Sequence, residues 1–277
     1  MTWEEIIIDI RKKPEYSQLV KDSYFGEDLI DCVERYRVSG EFIEILNLIK
    51  SRSNSDILSI LDLGAGNGIT SISFALSGYN VVALEPDPSN TVGAGAIEIL
   101  KKHYSLDNVE IIKCYAEDLP YDPETFDVVF ARQSMHHAYK LKDFVKQASR
   151  VLKKSGMYFS IRDHVINNEI QKEIFLESHP LHKFYGGENA YSLDEYKDAI
   201  TNADLTIILS LGPFDNVINY YHETLFTIKE KFEKKYLFSL KVPNLFFKLF
   251  LFFRRLLTNN YSNSAGRLYS FVAIKNK

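Results

Sequence analysis

Three glycines at alternate positions are the first residues in this chain whose pattern points to ligand chemistry. Gly64, Gly66 and Gly68 follow the largely apolar run 60–63 in the stretch SILDLGAGNGIT. This pattern predicts a strand, a tight turn and a helix, and residues without a Cβ let the turn approach a bound nucleotide. Two ligands are compatible with the turn. One is a dinucleotide such as NAD, bound through its pyrophosphate, and the other is S-adenosylmethionine, which carries no phosphate.

The spacing of the glycines and a nearby carboxylate favour S-adenosylmethionine. A dinucleotide turn has the pattern G-x-G-x-x-G, whereas this chain has G-x-G-x-G, and Ile69 stands where the third dinucleotide glycine would fall. Asp62, at the end of the strand, would repel a pyrophosphate and attract the ammonium group of a methionine. The structural alternative is that Asp62 caps N–H groups of the turn itself.

A second carboxylate ends the next predicted strand. Glu85 closes the run VVALE, and Pro86 then turns the chain out of the strand. An acid at this position accepts hydrogen bonds from the two hydroxyls of a ribose. Both candidate ligands contain that ribose, so Glu85 predicts an adenosine without deciding between them.

The hydrophobic pattern predicts the scaffold that positions these residues. After residue 56, short apolar runs alternate with amphipathic segments, which is typical of an α/β fold with a parallel sheet covered on both faces. Strands are predicted at 57–63, 81–85, 109–113, 126–131, 157–162, 205–211 and 267–275, and helices at 69–77, 90–103, 141–152 and 193–203. Residues 1–55 are predicted to form a helical cap, in which Tyr24, Phe25 and Arg35 are candidates to cover the ligand.

Four segments in order resemble the motifs of class I S-adenosylmethionine-dependent methyltransferases: ILDLGAGNG, VVALEPD, AEDLPYDPETFDVVFARQSMHHA and ASRVLKKSGMYF. The resemblance is to the methyltransferase type 11 branch, which includes the ubiquinone and menaquinone biosynthesis methyltransferases. It implies a doubly wound, seven-stranded, mostly parallel Rossmann-like sheet with an antiparallel last strand. Residues 56–214 and 266–277 would form the cofactor domain, and 215–265 a helical insert before the last strand.

The resemblance also implies a set of cofactor contacts. Asp62 and the glycine turn would hold the methionine part, and the Ala116 backbone would meet the adenine. Tyr115 replaces the acid expected at the adenine amino group, so Glu117, Asp118 or Tyr115 itself would take over that contact. The predicted cofactor-binding residues are Asp62, Gly64, Ala65, Gly66, Glu85, Pro86, Ala116, Glu117, Arg132 and Gln133.

Methyl transfer to a hydroxyl also needs a base, and two histidine clusters follow predicted strands. His136 and His137 follow the fourth strand, and Arg162, Asp163 and His164 end the fifth. A neutral imidazole is a suitable base near pH 7. We therefore predict catalytic roles for His137 and His164, with Asp163 as a third member that orients an imidazole or pairs with Arg162. The alternative for each is a structural role. Metal binding by Asp163, His164 and a later histidine is a further alternative, but no metal site is predicted because no tight ligand spacing appears.

The segment ESHPLHKFYGGENAYSLDEY is predicted to lie above this site. Its pair Gly186–Gly187 indicates a mobile or tightly turned lid. His179, His182, Tyr185 and Tyr191 would suit a hydroxyl-rich acceptor such as a sugar. The alternative is an irregular loop packed by its own aromatic residues.

A later segment is basic and rich in Phe and Leu. Residues 229–257 carry a net charge of +6 in a chain of net charge −4. A helix is predicted from Pro243, with Lys241, Lys248 and Arg255 on one stripe. Its fifteen residues would make about 22 Å of helix, short of the hydrocarbon core of about 30 Å. Residues 236–260 are expected to lie on an anionic membrane surface, to form a homodimer interface or to cover an oily substrate.

Composition narrows the function further. The acidic balance argues against nucleic acid as a partner, and two distant cysteines with no recognisable secretory signal predict a cytoplasmic protein, either free or peripheral at the inner face of the membrane. The chain is predicted to transfer a methyl group from S-adenosylmethionine to a hydroxyl of a small-molecule, sugar or lipid-linked acceptor. The alternatives are an NAD-dependent oxidoreductase or epimerase and a catalytically silent scaffold.

Overall fold

The central sheet of the computed structural model, which describes residues 2–53, 58–179, 181–182, 187–236, 240–258 and 265–276, has the predicted α/β topology. Its strands are β1 (Ser59–Leu63), β2 (Asn80–Leu84), β3 (Val109–Ile112), β4 (Phe126–Arg132), β5 (Leu152–Ile166), β6 (Tyr191–Ser192), β7 (Leu205–Leu211) and β8 (Arg267–Lys275). The main order is β3-β2-β1-β4-β5-β8-β7, and only β8 runs antiparallel to its neighbours. The doubly wound fold prediction is confirmed. The two-residue β6, which pairs with the end of β5, is an addition too short for a sequence pattern to reveal.

Helices cover the two faces of this sheet. Further helices precede β1 and lie between β7 and β8. The described helices are α1 (Trp3–Arg11), α2 (Ser17–Asp22), α3 (Leu29–Arg37), α4 (Gly40–Lys50), α5 (Ile69–Leu76), α6 (Ala94–His103), α7 (Leu141–Val151), α8 (Glu169–Ser178), α9 (Leu193–Thr201), α10 (Val217–Tyr220), α11 (Leu225–Tyr236) and α12 (Asn244–Thr258). Thr2 and Ser192 begin α1 and α9 with capping boxes, in which a side chain and a glutamate three residues later satisfy each other's backbone N–H groups.

Alternate residues of the strands pack on opposite faces of the sheet. In β4, Val128 and Phe130 belong to the core under α3, α4 and α5, whereas Val129 and Ala131 belong to the core under α7 and α9. This alternation follows from the two-residue period of a strand. Because both faces are covered, most strand residues are apolar, and the polar residues at the carboxyl ends of the strands stand out.

The N-terminal helices lie over the carboxyl edge of the sheet. Ile6, Ile7 and Ile10 of α1 pack with Val92 and Leu181 in a separate apolar cluster. The guanidinium of Arg11 donates to the Phe25 and Gly26 carbonyls at 2.5 and 2.9 Å. These contacts hold the segment that follows α2 against the site described below.

Helices α11 and α12 form the basic, Phe-rich insert. Phe232 of α11 packs against Phe247 and Phe250 of α12, with ring centroids 5.7 and 4.5 Å apart. Lys241 and Lys248 are exposed, and the side chain of Arg255, the third residue of the predicted stripe, lies outside the described residues. Within the described part of the chain, every helix is too short or too polar to span a bilayer.

Candidate active site

One open cleft of about 1400 Å³ lies at the carboxyl ends of β1, β2, β4 and β5. All ten predicted cofactor residues line it, together with His137 and His164. Asp163 is completely buried and is not part of the cleft wall. The topology therefore brings the glycine turn and the histidine clusters, which are far apart in the chain, to one site.

The glycine turn between β1 and α5 needs its glycines. Gly64 and Gly68 adopt φ values of +68° and +81°, a region that favours glycine. A Cβ on Gly64 would lie 2.7 Å from the Cβ of Ser134, and one on Gly68 would lie 2.7 Å from Ile97. The turn therefore packs against the loop after β4 and against α6 while its remaining edge faces the cleft.

Asp62 is buried at the end of β1, and its Oδ2 accepts a hydrogen bond of 2.6 Å from the Ser71 hydroxyl. Burial raises the pKa of Asp62 to about 6. The structural alternative, that Asp62 caps the turn, is wrong, because the N–H of Gly66 donates instead to Glu85. A cation in the cleft beside Asp62 would compensate its buried charge.

Glu85, just after β2, is held in place by two backbone donors. Its carboxylate accepts from the N–H of Gly66 at 2.7 Å and from the N–H of Asp87 at 2.9 Å. Burial nevertheless raises its pKa to about 7. Each oxygen keeps acceptor capacity for a further donor in the cleft, such as a ribose hydroxyl.

The segment after β3 forms the far end of the cleft. Tyr115 is 65% exposed and lines the cleft mouth beside Ala116. The carboxylate of Glu117 accepts a 2.8 Å hydrogen bond from the N–H of Tyr139, which ties this segment to the loop after β4. Asp118 is absent from the cleft wall, so of the three substitutes for the family's acid, Tyr115 and Glu117 are in position.

Arg132 and Gln133 line the cleft, but the guanidinium of Arg132 is committed to a buried acid. It donates to both oxygens of Glu41 at 2.5 and 3.2 Å, and Arg162 donates to Glu41 at 3.4 Å. Arg162 thus pairs with Glu41 and not with Asp163. The sequence pattern did not single out Glu41, although this residue lies on the same stripe of α4 as the buried Ile45.

Asp163 orients an imidazole, but it is that of His136 and not of the adjacent His164. Its Oδ1 lies 2.9 Å from His136 Nδ1 and accepts from the His136 backbone N–H, and Ser160 donates to its other oxygen. His136 Nε2 lies 3.5 Å from Glu188. Burial alone would lower the pKa of His136, but Asp163 and Glu188 raise it to about 9, so this imidazole is charged at neutral pH in the absence of other ligands.

The two histidines predicted to be catalytic are neutral. His137 Nδ1 lies 3.0 Å from the Gly187 carbonyl, and His164 Nδ1 lies 2.8 Å from the Gly266 carbonyl, so in each Nδ1 donates and Nε2 is free to accept. Burial and then the charge of His136 lower the pKa of each, that of His164 to about 3. The side chain of His137 remains 42% exposed to the cleft.

Glu188, in the loop before β6, is a second residue that the sequence analysis missed. Burial would raise its pKa, but the surrounding histidines lower it to about 2. His179 lies beside it, and both residues line the cleft. The predicted lid residues Tyr185 and Gly186 lie outside the described residues. Nothing in local spacing marks Glu188, because its partners come from the loop after β4, from β5 and from the residue that follows α8.

The family comparison agrees with this geometry. Residues 61–160 match the model of a methyltransferase domain family. This segment has the sequence signature of that family. The match covers the glycine turn, Glu85, the segment after β3 and the first histidine cluster, and it confirms the resemblance on which the cofactor residues were predicted.

Curated relatives match this chain over only part of their own length. A ubiquinone biosynthesis O-methyltransferase of Pelagibacter ubique is 28% identical over 103 residues, which is 37% of this chain and 40% of that protein. A demethylmenaquinone methyltransferase of Chlorobaculum tepidum is 29% identical over 118 residues, 42% of this chain and 46% of that protein. The chain thus spans less than half the length of these relatives.

Solved structures share the fold over most of the chain. The YcgJ protein of Bacillus subtilis superposes with a TM-score of 0.55 at 17% identity, covering 85% of this chain and 99% of that one. A geranyl diphosphate C-methyltransferase of Streptomyces coelicolor, solved with Mg2+, geranyl diphosphate and S-adenosyl-L-homocysteine, gives a TM-score of 0.59 at 17% identity, covering 88% and 83%. At such identities the likeness establishes the shared α/β fold alone.

Proposed function

We propose that this chain is an S-adenosylmethionine-dependent methyltransferase that acts on a hydroxyl of a small or lipid-linked acceptor. The observation that carries the proposal is the cleft itself. It joins a glycine turn with no dinucleotide spacing, two buried carboxylates at adjacent strand ends and a neutral histidine, all within the segment that matches the methyltransferase family. The curated relatives named for quinone methylation support a small organic acceptor.

The chain's own residues fit the cofactor. Asp62 would hold its ammonium group, Glu85 would accept from its ribose hydroxyls, and Tyr115 and Ala116 would contact its adenine. When bound, S-adenosylmethionine supplies an electrophilic methyl group whose bond to sulfur breaks as the bond to the acceptor oxygen forms. The cleft then has to align the acceptor and remove its proton.

His137 is the best placed of the histidines to take that proton. Its side chain faces the cleft, and its free Nε2 lies 3.8 Å from Glu188. The Gly187 carbonyl fixes its tautomer, so Nε2 presents a lone pair to the acceptor hydroxyl. Once protonated, the imidazolium would be stabilised by the Glu188 carboxylate. His136 is buried and already charged, so it cannot perform this role.

Substitution of His137 separates catalysis from cofactor binding. Incubating a cell extract with methyl-tritiated S-adenosylmethionine and fractionating the lipid, glycan and soluble pools identifies the acceptor pool. With that pool, we expect His137→Ala to lower kcat by about 10²–10⁴-fold, while the affinity for S-adenosylhomocysteine changes little. His103→Ala, at an exposed position on α6, is the control. Activity of His137→Ala equal to that of the control would rule out a base at this position.

We also propose that the insert binds an anionic membrane surface, which would bring a lipid-linked acceptor to the cleft. Helix α12 exposes large apolar side chains next to exposed lysines, as expected of an interfacial helix. The exposed apolar residues are Leu245, Phe246, Leu249, Phe250, Phe252 and Phe253. A homodimer interface is the competing explanation of this surface.

Liposome sedimentation distinguishes the two. We expect the chain to sediment with vesicles containing phosphatidylglycerol and Phe246→Ser/Phe253→Ser to lose most of that binding. Ile170→Ser/Ile174→Ser removes equally exposed side chains from α8 and should bind as the unmodified chain does. A dimer in solution that dissociates in the phenylalanine variant, without any liposome binding, would contradict the membrane proposal.

A further inference from the structure

Four of the seven histidines in the chain gather around one carboxylate. His136 Nε2 and His137 Nε2 lie 3.5 and 3.8 Å from one oxygen of Glu188, and His179 Nδ1 lies 3.8 Å from the other. The ligand atoms offered by His136, His164 and Glu188 all lie within 4.8 Å of one another. These three residues come from the loop after β4, from β5 and from the loop before β6.

The Nδ1 atoms of His136 and His164 already have hydrogen-bond partners. His136 Nδ1 contacts Asp163, and His164 Nδ1 contacts the Gly266 carbonyl. A histidine that binds a metal through one ring nitrogen ordinarily donates its other N–H to a carboxylate or a backbone carbonyl. Both arrangements leave Nε2 as the inward-facing nitrogen. The cluster thus has the outer hydrogen bonds of a metal centre as well as its inner donor atoms.

The donor spacing suits a small ion. Two ligands bound about 2.1 Å from a tetrahedral ion lie about 3.4 Å apart, and the His136–Glu188 distance is 3.5 Å. The other pairs of ligand atoms in the cluster lie at most 4.8 Å apart.

A neighbouring atom is also left without a partner. Among the described residues, His179 Nδ1 is buried and makes no hydrogen bond, although buried polar atoms are normally paired. It points towards the Glu188 oxygen that lies farther from His136 and His137. An ion at the cluster would bring its own water or acceptor oxygen within reach of this nitrogen.

We propose that His136, His164 and Glu188 bind one divalent transition-metal ion. Two imidazoles and one carboxylate suit Zn2+, Fe2+ or Mn2+ better than Mg2+, which prefers oxygen ligands. All three residues line the cleft, so a three-residue site leaves a coordination position open to it. There the ion would bind the acceptor hydroxyl and lower its pKa. This role rests on the proposed methyltransferase function, but the binding of the ion does not.

Zinc titration of the full-length chain tests the site. Tag-free protein is stripped with EDTA, dialysed and titrated with ZnCl2 by calorimetry, and CoCl2 is added in parallel to record the visible absorption of the bound ion. We expect one Zn2+ per chain and a Co2+ spectrum of low coordination number. His164→Gln and Glu188→Gln should each weaken Zn2+ binding at least 100-fold, and Asp163→Asn, which alters an outer hydrogen bond, about 10–100-fold. His103→Ala should have no effect.

Binding of S-adenosylhomocysteine, measured on every variant, keeps the outcomes distinct. A ligand variant that binds this nucleoside normally but loses Zn2+ supports the metal site and shows that the variant is folded. Zn2+ binding that is absent from the unmodified chain, or unchanged in both His164→Gln and Glu188→Gln, overturns the inference. If the unmodified chain does not bind S-adenosylhomocysteine, the proposed function is contradicted. The zinc titration still decides whether the metal site exists.

Discussion

At the scale of single residues, the site is organised around two buried carboxylates whose ionisation has an electrostatic cost. Asp62 and Glu85 both have raised pKa values because burial disfavours their ionised forms. A bound ammonium group and a ribose diol would each offset that cost. The strand ends are therefore built for a ligand and not for stability.

Replacement of Asp62 by Asn should stabilise the fold and weaken ligand binding. The pKa of Asp62 is higher in the folded chain than its ordinary value of 3.8, so ionisation destabilises the fold, by about 3 kcal/mol at most above pH 6. Asp62→Asn should therefore raise the free energy of unfolding in urea by about 1–3 kcal/mol at pH 8, and the gain should vanish below about pH 4, where both states are protonated. The same variant should bind S-adenosylhomocysteine at least tenfold more weakly.

The exposed Asp107 offers a matched control for this prediction. Asp107→Asn removes the same charge from the surface and should change neither the stability profile nor the affinity. If Asp62→Asn is less stable than the unmodified chain at pH 8, then the Asp62 carboxylate is not held at an electrostatic cost, and its assignment to the ligand's cation loses its physical basis.

Residues at strand ends could be predicted from the sequence, whereas residues that meet across the fold could not. Asp62 and Glu85 follow apolar runs, and the position of such residues at the sheet edge is set by the strand pattern alone. Glu41 acquires its role from Arg132 and Arg162, which lie 91 and 121 residues further along the chain. Glu188 acquires its role from histidines on other elements, among them His136. For the same reason, the spacing of His136, His164 and Glu188 along the chain does not predict that these residues lie close together.

At the scale of secondary-structure elements, the N-terminal helices complete the cleft. Thr2 and Trp3 at the start of α1, and Phe25 after α2, line it beside the glycine turn. The Asn67 side chain donates to the Tyr24 carbonyl at 2.8 Å, which links this cover to the turn directly. Because these contacts position the cover over the glycine turn, its position should be sensitive to single substitutions.

Arg11 is the residue whose loss should loosen this cover. Its two hydrogen bonds to the Phe25 and Gly26 carbonyls come from a charged donor and fix the segment that carries Phe25. Arg11→Ala should weaken S-adenosylhomocysteine binding about tenfold in calorimetry while the melting temperature falls only slightly. Lys12→Ala, at the next and exposed position, should bind as the unmodified chain does. Equal affinities of the two variants would show that the cover does not contribute to binding.

A buried acid joins helix α4 to the two central strands. Glu41 is fully buried and receives hydrogen bonds from Arg132 of β4 and Arg162 of β5. Removing one partner of such a pair leaves uncompensated buried charge, which costs about 3–5 kcal/mol. Glu41→Gln should therefore lower the free energy of unfolding by that amount. Glu98→Gln, at an exposed position on α6, should leave it unchanged, and a loss in Glu41→Gln no larger than in this control would contradict the assignment.

At the scale of the whole molecule, the fold could be predicted because its local signals agree. Strand runs, helix periodicity and turn glycines all indicate one α/β order, and seven predicted strands correspond to β1–β5, β7 and β8. The largest boundary error is at β5, predicted at 157–162 and observed at Leu152–Ile166. Polar residues inside that strand, among them Lys153, Lys154 and Asp163, interrupt the apolar pattern that would have marked its length.

The central claim is that the cleft is built for a sulfonium nucleoside and not for a dinucleotide. Calorimetric titration of the full-length chain with S-adenosylhomocysteine and, separately, with NAD tests it most directly. We predict one S-adenosylhomocysteine bound per chain, and no heat of binding with NAD at the same concentrations. Saturable binding of NAD together with no binding of S-adenosylhomocysteine would contradict the claim.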